Sequence, residues 1–342
     1  MTDLVVGGGA VGTLVAWGLA SGGRDVAVVR RGLDVPSAPT KVTCTSPDGR
    51  SSTARVTEIR KPADLPDAPD VIVFAVKMFD LTAAAESCAM WPEAVGVTVG
   101  NGIGAEEIVA GLRPAAPHVA GSVTVSVELR EAGHVARLNR GGIALAPFTG
   151  DADGPVADLV TAFAAAGLRS AAMPDARAMK WSKLLTNLVA NASSAILDMS
   201  AAEIYASPEG YRVERRQLQE AAAVMRALGM RPVALPGVDA RLLALGMRMP
   251  PAVAQPILRR VVGRARGGKE PSLRLHARAE PGPTEVEWLN GAVVRAAAQV
   301  GRRARVNACL AALVAEIVAD AERRAWFRGR PDRLAEACLP EG

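Results

Sequence analysis

"DLVVGGGAVGTLVAWGLASGG", residues 3–23, decides the fold. A short apolar run, three consecutive glycines and a long apolar segment without proline predict a strand, a tight turn and a helix. Gly7, Gly9 and Gly12 stand at G-x-G-x-x-G spacing. The first glycine permits the tight turn, the second lets backbone approach a pyrophosphate, and the third lets helix and strand pack closely. With Ala10 and Val11 they form a turn whose amides, at the helix N-terminus, face an anion. Such a fingerprint is weak alone. Here "DVAVV" (25–29) follows as a second strand, and that context marks a nucleotide-binding unit.

The end of the second strand separates two cofactors. An NAD site places Asp or Glu there, about 20 residues after the glycines, to bind ribose hydroxyls. This chain has Arg30-Arg31 instead, a pair suited to gripping a 2′-phosphate, so NADPH is expected. A loop pair lying in water is the plainer alternative. Two later apolar runs read as buried parallel strands: "DVIVFAVKMFD" (70–80), ending at Lys77, and "AVGVTVGNGIGAEE" (94–107), ending at Asn101-Gly102. Ligands lie beyond the carboxyl ends of strands in open parallel sheets, so Lys77 and Asn101 project toward them, although Asn-Gly also makes an ordinary turn. Residues 117–148 are β-rich and extend the same sheet through a hairpin; "LRSAAM" (168–173) adds a last short strand.

Beyond it the chain reads as helical. "KWSKLLTNLVANASSAI" (180–196) carries Lys183, Asn187 and Asn191 at four-residue spacing. On one helix these fall with Ser194 within roughly a quarter turn, with Lys180 beside them. Trp181, Leu184, Leu185, Leu188, Val189 and Ile196 cover the other side. A polar face in water is the ordinary explanation. Against it, Asn is a poor helix former, and no acid before Asp198 balances the two lysines. Of 40 Lys plus Arg only six are Lys (41, 61, 77, 180, 183, 269), two of them in this helix. Lys, unlike Arg, can give up a proton. Further helices are expected over about 208–229, broken by prolines in 231–256, then over 284–300 and 305–325. "GPTEVEWLNG" (282–291) sets Glu285 and Glu287 at a helix start, where carboxylates suit the dipole, with Thr284 as a cap.

At 342 residues, 49% hydrophobic and 22% charged, the chain reads as globular and long enough for two domains. Aromatics are 4% and the net charge is +5, which suits a small acidic substrate or a phosphate-bearing cofactor. Basic clusters at 259–266 and 302–305 lack interleaved aromatics, so no nucleic acid is expected. The four cysteines (44, 88, 309, 338) and three histidines (118, 134, 276) are dispersed, and read as reduced thiols in a cytoplasmic protein with no metal site. No export signal or bilayer-spanning run is visible, so no membrane partner is expected.

Taken together, "GGGAVG", "AVKMFD", "NGIGAEE", "KWSKLLTNLVANASSAI" and "GPTEVEWLNG" resemble, in order and spacing, the ketopantoate reductase (2-dehydropantoate 2-reductase) family. The resemblance implies an α/β fold: an N-terminal Rossmann dinucleotide-binding domain, then an all-helical C-terminal domain, 6-phosphogluconate-dehydrogenase-like. The expected limits are 1–173, 174–330 and a tail over 331–342. It implies hydride transfer from NADPH to the C2 ketone of a branched 2-keto acid. Lys183 matches the family's catalytic lysine and would donate a proton to the carbonyl oxygen. Asn187 and Asn191 match residues that hold substrate, Asn101 the Asn that orients cofactor and lysine, Lys77 a cofactor-side Lys, and Glu285 a Glu that binds substrate or lysine. The family's serine pair is altered here. Ser272 stands thirteen positions before Glu285, and 266–283 has gained Pro281 and Pro283. That departure bears on substrate identity more than on reaction type. A same-fold reductase of another carbonyl or imine, and a non-catalytic NADPH-binding regulator, are the alternatives; a homodimer is entertained for the assembly.

Overall fold

The computed structural model describes residues 2–32, 37–265, 271–278 and 282–339. Two compact units emerge: residues 1–100, 104–180 and 235–238 form one, and 101–103, 181–234 and 239–342 the other.

The first unit is built on one mixed sheet. Its elements are β1 (Thr2–Val6), α1 (Ala10–Ser21), β2 (Asp25–Val29), β3 (Ser37–Thr45), β4 (Ser51–Ile59), β5 (Val71–Phe74), α2 (Leu81–Glu86), β6 (Val95–Thr98), α3 (Ala105–Leu112), β7 (His118–Val123), β8 (Val127–Glu131), β9 (His134–Arg137), β10 (Gly142–Thr149), α4 (Asp153–Ala165) and β11 (Arg169–Ala172). Among the described residues the sheet has eleven strands in the order β11-β10-β7-β6-β5-β1-β2-β4-β3-β9-β8. β1 pairs in parallel with β2 on one side and β5 on the other. The order therefore reverses at β1, and a ligand crevice is expected beyond its carboxyl end. All four residues of β5 are buried, as its unbroken apolar run requires of a central parallel strand. α1 buries Leu14, Val15, Trp17 and Leu19, each large side chain contributing about 1.5–3 kcal/mol.

Two runs stop short of their expected ends. β5 ends at Phe74 and β6 at Thr98, so Lys77 and Asn101 each lie three residues past a strand. The β3–β4 hairpin is absent from the sequence reading. Its turn, Ser46 to Arg50, contains "SPDG", a turn signal passed over.

The second unit is helical: α5 (Ala176–Leu188), α6 (Ala192–Leu197), α7 (Ala201–Ala206), α8 (Pro208–Ala227), α9 (Ala240–Gly246), α10 (Pro251–Ala265), α11 (Ser272–Arg278), α12 (Asn290–Gln299), α13 (Arg305–Ala319), α14 (Ala321–Phe327) and α15 (Pro331–Cys338). A two-residue strand pair, β12 (Ala234–Leu235) and β13 (Val238–Asp239), interrupts it. The first turn of α5 belongs to the first unit, so the division falls at Lys180/Trp181 rather than at 173/174. Lys180 explains this, because its side chain is tied to the Gly100 carbonyl just after β6 and to the Gly121 carbonyl within β7.

Four further expectations are corrected. The helix drawn over 177–197 is two helices, broken at Ala190, whose φ is +48°. The expected tail contains α15, whose Leu334 is fully buried in the helical core. Cys309 and Cys338 form a disulfide with Cα atoms 5.5 Å apart, linking α13 to α15, while Cys44 and Cys88 stay free and buried. Their separation of 29 residues carries no motif; only helix packing makes them neighbours. The helix expected over 284–300 begins as a single 3-10 turn, Glu285–Trp288, ahead of α12.

Candidate active site

The glycine turn is shaped by contact. Gly7 has φ +116°, and a Cβ there would stand 2.7 Å from the Ala75 carbonyl oxygen. A Cβ on Gly12 would stand 1.7 Å from the Gly7 carbonyl oxygen. Gly9, by contrast, has open space where its Cβ would be, the room a pyrophosphate needs to reach backbone. Gly9 also caps α1, gives it no side-chain acceptor, and no acid stands in the first turn. Ala10 and Val11 open the helix, so its first amides suit an anion.

Arg30 lies against this turn. A Cβ on Gly8 would come 3.3 Å from its guanidinium carbon, and Nη1 donates to the Gly8 carbonyl at 3.3 Å. Nε donates to Glu58 Oε1 at 2.5 Å. Among the described residues, Nη2 is buried without a hydrogen-bond partner. Arg31 is exposed and stands 3.4 Å from Asp80. Lys77 is exposed and its carbonyl accepts from Asp80 N at 2.9 Å, opening the 3-10 turn Met78–Asp80. An open Gly9, helix amides without a side-chain cap and a buried donor unpartnered among the described residues together fit a dinucleotide.

The second unit assembles the remaining candidates. Asn187 Nδ2 donates to Asn101 Oδ1 at 3.0 Å. Lys183, half-buried, precedes Asn187 by one turn of α5. Ile103 N donates to the Trp288 carbonyl at 3.0 Å. Gly102 has φ +93°, and a Cβ there would stand 2.5 Å from that same carbonyl oxygen. The turn that starts with buried Glu285 is thereby fastened beside Asn101. Asn191 does not share their stripe. It starts α6, beyond the break, and its Oδ1 accepts from Leu273 N at 3.3 Å, fixing the start of α11. Ser272 opens α11 and is exposed. Of the altered stretch 266–283, residues 266–270 and 279–281, with Pro281, lie outside the described residues.

Two buried networks hold these pieces, and the sequence reading missed the acid in each. Lys180 Nζ stands 2.8 Å from Glu106 Oε1 and donates to the carbonyls of Gly100 (2.9 Å) and Gly121 (3.3 Å). Glu106 also accepts from the Thr98 hydroxyl at 2.7 Å. His118 Nε2 lies 3.4 Å from that hydroxyl. Since the hydroxyl spends its proton on Glu106, it accepts from His118, which assigns the imidazole hydrogen to Nε2. Burial pushes the imidazole down to about 4, with the Arg113 and Lys180 cations also lowering it and Glu106 opposing. The acid that balances Lys180 thus comes from α3, far away in sequence.

In the second unit fully buried Glu214 accepts from Ala190 N (2.7 Å), Ser193 Oγ (2.5 Å), Gln217 Nε2 (2.8 Å) and Tyr205 OH (3.3 Å). Burial raises its pKa, and the donors oppose the rise. Ala190 in the left-handed region is strained, about 1–2 kcal/mol for a residue with a Cβ. Glu214 grips the N–H at that strained residue, so it helps fix the break between Asn187 and Asn191. Glu214 lies in the helix expected over about 208–229, and its burial is a tertiary fact.

A mixed sheet whose central parallel strands reverse order at a glycine turn, and a polar Lys–Asn helix face, define a dinucleotide-binding oxidoreductase. The family model described as ketopantoate reductase PanE/ApbA matches residues 4–150, and its C-terminal counterpart matches 175–318. The chain belongs to the ketopantoate reductase family and is an oxidoreductase of the class acting on CH–OH groups. It is 27% identical over 302 residues to a 2-dehydropantoate 2-reductase of Halobacterium salinarum, covering 87% of this chain and 92% of that one. A 2-dehydropantoate 2-reductase of Archaeoglobus fulgidus is 25% identical over 91% of this chain and 95% of its own. The fold matches the crystal structure of a PanE/ApbA family ketopantoate reductase from Ralstonia eutropha JMP134 (TM-score 0.75, 24% identity, 95% and 100% of the two chains). It also matches a D-mandelate dehydrogenase complex with NADH and anilino(oxo)acetate (TM-score 0.72, 16% identity, 96% and 99%). Among the described residues no helix is long and apolar enough to cross a membrane, and no His, Cys, Asp and Glu group could hold a metal ion.

Proposed function

We propose that the protein reduces a branched 2-keto acid, 2-dehydropantoate first among them, to the 2-hydroxy acid with NADPH. The observation that carries this reading is the Asn187–Asn101 hydrogen bond. It joins the loop after β6 to the helix face of Lys183, uniting two motifs distant in sequence. When bound, the reduced nicotinamide supplies the hydride that adds to C2 of the keto acid. The glycine turn holds the nucleotide, with Arg30 and Arg31 toward a 2′-phosphate and Lys77 near the nicotinamide end of the cofactor. Lys183, as an ammonium, transfers a proton to the carbonyl oxygen while negative charge grows there, a role worth roughly 10²–10⁴ in rate. Asn101 orients that group through Asn187. Glu285 binds substrate or the lysine, and Asn187, Asn191 and Ser272 are the substrate-binding candidates.

A second reading, a same-fold reductase of a different carbonyl or imine, draws on Ser272. Its shifted spacing and its exposure at the start of α11 set it apart from the family's serine pair. NADPH oxidation by the purified protein, with 2-dehydropantoate beside a panel of branched and aromatic 2-keto acids, decides between them. Turnover of 2-dehydropantoate should fall about 10²–10⁴-fold in Lys183→Ala with NADPH binding intact. NADPH binding without turnover of any 2-keto acid would reject the reaction while leaving the nucleotide unit standing.

A further inference from the structure

Each arginine that closes β2 stands beside an acid. Arg30 is paired with Glu58 and Arg31 with Asp80. The Arg30 pair is the stronger, since both side chains are largely buried, 16% and 13% exposed, whereas Arg31 is 84% exposed. Glu58 reaches Arg30 from β4, which runs parallel to β2 with Val28 opposite Glu58. The backbone repeats the link, because Arg30 N donates to the Ile59 carbonyl at 2.9 Å. Arg30 is thus clamped between the Gly8 carbonyl and a carboxylate, with Nη2 a buried donor that has no partner among the described residues.

This arrangement changes what the Arg-Arg pair offers a nucleotide. Two bare guanidinium groups would select a 2′-phosphate, which carries about −1.5 to −2 charge. The four paired side chains sum to zero. A carboxylate repels that phosphate, yet it accepts hydrogen bonds from ribose hydroxyls, which is how an acid at this place serves NAD. Here the acid arrives from the neighbouring strand instead of from the end of β2, so a search along β2 passes it by.

We propose that Glu58 is a specificity-determining residue for the cofactor: by offsetting Arg30 beside the glycine turn it narrows the preference for the 2′-phosphate, so that NADH is bound and used alongside NADPH. The inference rests on the nucleotide-binding reading above and adds to it. Glu58 acts through Arg30 on the phosphate and directly on the ribose hydroxyls. Asp80 acts the same way on Arg31, more weakly because that pair is in water.

Dissociation constants of NADPH and NADH, read by nucleotide fluorescence, test this in the wild type and in Glu58→Gln; 2′,5′-ADP and 5′-ADP serve as probes without the nicotinamide. The wild type should favour NADPH over NADH by no more than about tenfold, and Glu58→Gln should move the ratio about tenfold further toward NADPH, chiefly by tightening NADPH. The adenosine probes should shift in parallel. A wild-type preference above about a hundredfold, which needs no variant to measure, overturns the proposal. An unmoved ratio in Glu58→Gln, or weaker NADPH binding, also overturns it; the latter makes Glu58 a support for Arg30. If the wild type binds neither dinucleotide, the nucleotide-binding reading falls and takes this inference with it.

Discussion

The two buried polar networks do the same job with different chemistry. In the first unit a full charge pair, Lys180 with Glu106, sits among neutral groups and holds the Gly100 carbonyl one residue ahead of Asn101. In the second, the Glu214 carboxylate is held by neutral donors alone and steadies Ala190, between Asn187 and Asn191. Both fix a stretch of irregular backbone that carries a candidate site residue. The difference teaches where each is vulnerable. An ion pair fails when one partner goes, because the other is left charged and buried. A carboxylate ringed by donors loses one bond at a time.

Lys180→Met breaks this comparison most sharply. It should destabilise the protein by about 3–5 kcal/mol in urea unfolding, since Glu106 is left uncompensated. Lys180→Met with Glu106→Leu should recover much of that loss; a double variant no better than the single would show that the two charges are not coupled.

The networks also answer pH with opposite sign. His118 has a folded pKa near 4 against 6.5 unfolded, so the unfolded chain binds more protons between those values. Its contribution, about 3 kcal/mol from a shift of this size, is complete above pH 6.5 and lost as pH falls toward 4. Glu214 is shifted the other way, so its contribution is complete below the ordinary Glu range and lost as pH rises through its folded pKa. Stability measured from pH 4 to 7 should therefore flatten in His118→Gln and steepen in Glu214→Gln. Opposite changes would reverse the assignment of the two groups.

Glu214→Gln at neutral pH should cost about 1–2 kcal/mol, as one acceptor becomes a donor facing another donor. The smallest effect belongs to Asn191→Ala. It removes the side-chain acceptor at Leu273 N and should cost about 1 kcal/mol. If thermal stability is unchanged while substrate KM rises, Asn191 serves substrate more than α11.

The nucleotide half was legible because its signals are local. The glycine spacing, the apolar strands and the arginines after β2 are each set within a few residues, and backbone geometry there tolerates few alternatives. The ketopantoate reductase resemblance was legible for the same reason, from short motifs in order. The β3–β4 hairpin was missed, and Glu58 with it, because its pattern is mixed and its importance lies in a partner from another strand. Lys183 and Asn187 were found on one helix face. Asn191 was drawn on the same face because a four-residue spacing cannot reveal a helix break at Ala190.

By itself, then, the sequence determined the α/β character, the glycine turn, the helical second half and the residue types of the candidate site, since these follow from local sterics and hydrophobic periodicity. Only the tertiary structure decided which charges meet: Lys180 with Glu106, Arg30 with Glu58, Glu214 with the strained Ala190, and Cys309 with Cys338. Hydrophobic burial brings such groups together across long stretches of chain, and once they are out of water each polar group must find its partner wherever the packing has placed it.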